Sequence, residues 1–168
     1  MLRWHFMQLC DIFLGLGEEP FSQLLRSISL GKLKTYQLFD RLKTRLRVTK
    51  LNTETLRKVA PKCWQRFSEP DSEDFATELG QAILVSNLDM IKAVLDELGI
   101  PHEDGFFPKD MDSSNYLSDG WQERVLNRFK TTFPESLLLF YINHLGWEMG
   151  KATEVYLPHS AEANAGPA

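Results

Sequence analysis

Apolar side chains recur at three- and four-residue intervals along almost the whole of this 168-residue chain, and no other feature restricts its fold as strongly. A period of 3.6 residues gathers positions i, i+3, i+4 and i+7 on one side of a helix, whereas a half-buried strand alternates every second residue. Alternation is nearly absent. The one segment that reads as extended is 155–157, and it lies outside the helical pattern.

The stripes divide into about eight helices. The first carries Leu2, Phe6, Leu9, Phe13 and Leu16; Gln8 and Asp11 break its apolar run, and no small-residue cleavage site follows, so it reads as an amphipathic helix rather than a secretory signal. Pro20 opens the second, with Phe21, Leu24, Leu25 and Ile28 inside and Gly31 at its end. A third holds Tyr36, Phe39, Leu42 and Leu46. The fourth starts at Asn52 or Thr53 and carries Leu56, Val59, Ala60, Cys63, Trp64 and Phe67 past Pro61, which predicts a kink or two short helices end to end.

Asp71 or Ser72 caps a fifth helix with Phe75, Leu79, Ala82 and Ile83 inside. Ser86 or Asn87 caps a sixth whose stripe runs from Leu88 to Leu98 before Gly99, so these two form a tight hairpin. Leu117, Trp121, Val125 and Phe129 mark the seventh. Pro134 opens the eighth, and there 137–142 is apolar on every side; a helix of that kind must be covered all round, which puts it at the centre of the core. The expected fold class is therefore all-α, about eight helices in antiparallel hairpins around one core over residues 1–158. After it, 159–168 is rich in Ala, Asn and Gly and predicts a disordered tail.

Apolar residues make up 43% and charged residues 25% of the chain, which excludes disordered, collagenous and membrane-spanning classes. Cys10 and Cys63 lie within apolar stripes with no C-x-x-C or Cys/His ligand spacing. They read as buried thiols in a reducing compartment, so a cytoplasmic location is expected and neither a metal nor another cofactor is.

Charge is distributed unevenly. Residues 26–66 hold twelve basic and two acidic residues, a net of +10, so the rest of a chain of net charge −4 carries −14, much of it in the helical region 71–150. Such asymmetry implies either a polyanionic partner or attraction within the fold. Arg41, Arg45, Arg47, Lys50, Arg57 and Lys58 are the candidate polyanion-binding residues. A helix, a turn near 48–51 and a second helix with Arg57 and Lys58 near its start have the layout of a helix-turn-helix, although the turn lacks glycine and Pro61 shortens the second helix.

The second candidate region is the stretch 100–115, longer than most connections in compact domains, where His102, Glu103, Asp104, Asp110 and Asp112 concentrate. An imidazole beside carboxylates suits acid/base chemistry. Asp110, Asp112 and Ser114 fit the opening ligand positions of a calcium loop, but Asn115 replaces its glycine and Trp121 its bidentate Glu, so that motif fails. The alternative is a polar connector pinned to the core by Phe106 and Phe107. His144 reads as a structural residue near a helix end, bonding free carbonyls. No phosphate loop, nucleophile elbow, zinc-protease motif or dinucleotide fingerprint occurs.

The function expected from these features is that of a non-catalytic helical binding or regulatory protein engaging another macromolecule. A protein partner comes first, with no membrane. Nucleic acid bound through 32–66 is the alternative, and an enzyme working through 100–115 comes third.

Overall fold

The computed structural model of the chain describes residues 7–35, 37–108 and 116–158. Among them nine α-helices follow in order: α1 (Leu9–Leu16), α2 (Glu18–Ser27), α3 (Leu30–Thr35), α4 (Phe39–Leu46), α5 (Thr53–Gln65), α6 (Ser72–Val85), α7 (Leu88–Leu98), α8 (Trp121–Phe129) and α9 (Glu135–Glu148), with a 3-10 turn, Arg66–Ser68, after α5. Among the described residues there is no strand, and the one β-bridge joins Glu103 to Phe106. No helix among these residues is long and apolar enough to cross a membrane.

The all-α expectation holds, with one helix more than the periodicity suggested. The extra helix, α3, lies between the second and third stripes, because Ile28 leaves the helix with extended dihedrals, φ −88° and ψ 126°, while its side chain stays in the core. Two serines make the break. Ser27 Oγ donates to Leu24 O at 2.6 Å, and Ser29 Oγ accepts from the Lys32 N–H at 3.1 Å, opening α3, so Gly31 falls inside that helix rather than ending α2. Pro20 sits in the first turn of α2, where its missing N–H removes no helical bond. Pro61 does not split α5, because it deprives only the Arg57 carbonyl of its partner while Leu56, Ala60 and Cys63 still face inward. Leu117 precedes α8 instead of lying on it, since Gly120 at φ 80° occupies the N-cap.

Consecutive helices pack on one another from α1 to α2 and again from α6 through α9, and only Ser86 and Asn87 separate α6 from α7, an arrangement compatible with helical hairpins. Helix α9 is buried from Ser136 through Gly146, as its all-round apolarity requires. Helix α1 shares the centre with it, touching α2, α5, α6 and α9. The ring of Phe13 stacks on Phe67 at 5.1 Å and on Phe140 at 5.2 Å and meets Phe21 edge-on at 5.5 Å. Helices α1, α2 and α9 and the 3-10 turn are thus joined by one aromatic cluster, whose ring contacts add about 0.5–1.5 kcal/mol each beyond area burial.

Polar ties hold the helices in register around this cluster. Both carboxylate oxygens of Glu73 on α6 accept from the free N-terminus of α1, from Leu9 N at 3.0 Å and Cys10 N at 3.1 Å. Trp64 Nε1 donates to Phe13 O at 2.8 Å, fixing α5 to α1. The segment after α9 crosses the core as an extended strap. Buried Asn143 pairs with its backbone, accepting from Tyr156 N at 2.6 Å and donating to Tyr156 O at 3.1 Å, and Val155 closes over Gly15. The expected tail 159–168 lies outside the described residues.

Candidate functional site

The six basic candidates lie on α4, α5 and the turn between them, and the fold treats them in two ways. Arg41 and Arg45, one turn apart on α4, both face α6. Arg41 pairs with Glu78, and its guanidinium lies 5.5 Å from the Phe75 ring centre. Arg45 has only 8% of its side chain exposed: it sits 4.4 Å over the same ring, pairs with Asp71 at 3.3 Å and donates to Arg66 O at 3.3 Å. Phe75 therefore presents a ring face to two cations that hold α4 on α6. Further ion pairs to acids beyond 26–66 are Arg26 with Glu19 and Arg66 with Glu69. Part of the charge asymmetry is consumed within the molecule.

The other four are exposed. Arg47 follows α4 with left-handed dihedrals, φ 58° and ψ 44°, which turn the chain sharply and leave its side chain outward. Lys50 stands in the turn, and Arg57 and Lys58 project from the first turns of α5. None of the four has an acidic partner among the described residues, and Lys62, one turn beyond Lys58, is likewise exposed and unpaired. Leu51 and Leu56, buried beneath, anchor this strip to the core, and the α5 N-terminus is fixed by Asn52, whose Oδ1 accepts from Thr55 N at 2.9 Å.

In the second region the structure brings His102, Glu103 and Asp104 into one tight turn, whereas Asp110 and Asp112 lie outside the described residues. Glu103 and Phe106 exchange backbone hydrogen bonds of 2.8 and 2.9 Å across Asp104 and Gly105, both at positive φ, as a two-residue hairpin turn requires. His102 braces this turn. Its Nδ1 accepts from Gly105 N at 3.1 Å, which leaves the proton on Nε2, donated to Asp96 at 2.7 Å. Both ring nitrogens thus have structural partners, and Glu103 and Asp104 are not turned onto the imidazole. Phe106 does not pin the loop as expected: it is 59% exposed, because residues 103 and 106 face each other across the turn and only Phe107 reaches the core.

Periodicity also missed the environment of His144. One turn before the end of α9, it bonds none of the free carbonyls. It is 3% exposed, its Nδ1 has no hydrogen-bond partner within the protein, and Glu148 Oε2 lies 3.5 Å away. The signal available in the sequence was a Tyr141, His144, Glu148 spacing of three and four residues, which aligns three polar groups along one face of the helix. No family model matches the chain, no curated protein is similar to it, and no solved structure matches its fold.

Proposed function

We propose that the protein is a non-catalytic helical binding protein that holds an acidic surface of another protein through the strip Arg47, Lys50, Arg57 and Lys58. The observation that carries this reading is the division among the basic residues: Arg41 and Arg45 are neutralised against α6, while these four stand exposed and form no ion pair among the described residues. Unpaired cations on a buried apolar base form a fixed positive edge, which speeds encounter with an anionic surface and sets its register. Two residues before α5 and two on it make the strip short, a size suited to an acidic patch or helix.

Nucleic acid is the second reading, favoured by the exposure of Arg57 and Lys58 at the start of a helix that follows a turn from α4. One experiment separates the two. Binding of a poly-glutamate peptide and of duplex DNA is measured for the parent and for the variant Arg47→Glu, Lys50→Glu, Arg57→Glu, Lys58→Glu, with circular dichroism as the folding control. Peptide binding that the variant loses while remaining helical supports the acidic-protein reading. DNA retention at about 50 mM salt, with log affinity falling by about 0.9 per contact against log salt, supports the alternative. Binding of neither probe overturns both.

A further inference from the structure

We propose that the notch between the end of α2 and the start of α5 receives an apolar side chain of the acidic partner, while Arg26 and Arg57 hold the carboxylates that flank it. This rests on the acidic-protein reading above and adds an apolar anchor to the partner's charge.

The notch exists because the chain breaks after α2. Ser27 turns its hydroxyl back to Leu24 O at 2.6 Å, Ile28 runs extended, and α3 begins at Leu30, so the first turns of α5 are left partly uncovered. The space between measures about 450 Å³. Pockets of that order hold small molecules, and a single side chain enters one readily. Buried Ile28 and Leu56 form its floor, and half-buried Leu30 forms a wall.

Its charge is of one sign. Arg26 and Arg57 line it from opposite helices, and among the described residues no carboxylate does. Arg26 Nε donates to Ser22 O at 3.2 Å, which fixes the guanidinium in place. Its ion-pair partner Glu19 lies 3.9 Å away and is mostly exposed, so a partner's carboxylate exchanges for it at little cost. Ser29 Oγ accepts from the Lys32 N–H, and its own proton remains to be donated. By contrast, the space beside Arg41 and Arg45 is lined by Asp40, Glu69 and Asp71 as well, which turn an acidic segment away.

An apolar floor between cations selects the occupant. A chain of acids alone leaves the floor in water, and an apolar side chain alone leaves the guanidiniums without a counter-charge. A leucine flanked by glutamates meets both demands: the anchor supplies buried area, and the charges set the register. Arg57 belongs also to the strip with Arg47, Lys50 and Lys58, so a segment lying on that strip reaches the notch.

The test compares a poly-glutamate peptide with the same peptide carrying one central leucine, each titrated into the full chain by fluorescence anisotropy. The leucine peptide is expected to bind about five- to twentyfold tighter than poly-glutamate. Gln23→Trp, at an exposed position on the notch wall, should bring that ratio close to unity. Arg26→Gln, outside the strip, should weaken the leucine peptide by about two- to fivefold. Circular dichroism checks both variants. Saturable NMR shifts of the Ser29 and Thr53 amides in the parent report occupation of the notch without any substitution. Poly-glutamate binding with a ratio near unity in the parent, or a ratio that survives Gln23→Trp, would overturn this inference and leave the acidic-protein reading standing. If neither peptide binds the parent, both fail. Displacement of the leucine peptide by an equal concentration of octanoate would assign the notch to a free amphiphile and overturn the proposal too.

Discussion

Two arginines twelve positions apart show how little residue type says about role. Arg45 lies against Phe75 with Asp71 and the Arg66 carbonyl as partners, and Arg57 stands in solvent. Arg45→Glu would set a carboxylate against Asp71 and the ring face, and about 2–4 kcal/mol of stability should be lost, less than for a fully buried pair because Asp71 is exposed. Arg57→Glu should stay within about 0.5 kcal/mol. Urea unfolding midpoints compare them directly. The cysteines differ from exposed thiols in a similar way. Burial pushes Cys63 up to about 12 and Cys10 up to about 11, from an ordinary 9.0, the latter with help from Glu73. Folded thiols then keep protons that the unfolded chain releases, so their contribution to stability is intact below pH 9.0 and declines as pH rises from there toward 12. Ellman's reagent at neutral pH should label both only as fast as the chain unfolds; faster labelling would show that the sites open locally.

Among the elements, α9 and the strap behind it depend on each other. Phe140 stacks on Phe13 at the centre of the aromatic cluster, and Phe140→Ala should cost about 3–5 kcal/mol. A variant melting within a few degrees of the parent would place that helix at the surface. The strap is tied by Asn143 and by close packing at Gly15, where an added Cβ would meet Val155 Cγ2 at 2.8 Å. Gly15→Ala must therefore displace the strap and should cost about 1–3 kcal/mol in thermal or chemical unfolding. Periodicity located α9 because an apolar helix announces its own burial. It did not show α3 as a helix of its own, since six residues carry too short a stripe and the break after α2 depends on serine hydroxyls competing for backbone groups.

For the whole molecule, the strap and the residues beyond it make opposite demands. Ending the chain after His159 removes a segment of Ala, Asn and Gly with little apolar surface to bury and should leave the melting temperature unchanged. Ending it after Lys151 removes Val155 and Tyr156 from the core and should lower that temperature by several degrees. An equal effect of both truncations would show that the terminal segment docks. The charge division across the molecule works in both directions, since acids near and on α6 hold α4 in place while Arg47 and Lys50 in the turn and Arg57 and Lys58 on α5 form no ion pair among the described residues.

The sequence by itself determined the helical class, the inward stripes and the central place of α9, because burial of a helix face is written in the spacing of neighbouring residues. It also identified the basic segment as unusual, since charge is a sum over composition. Only the tertiary structure decided which cations are spent, because the partners of Arg41 and Arg45 lie 37 and 26 positions away on or before another helix. His102 read as a chemical group and proved to brace a turn, with Asp96 and the Gly105 backbone as its partners. His144 read as a helix-end residue and proved to stand beside a cavity whose walls come from three helices and a turn. A side chain's chemistry depends on what surrounds it in space, and spacing along one helix describes only one of its walls.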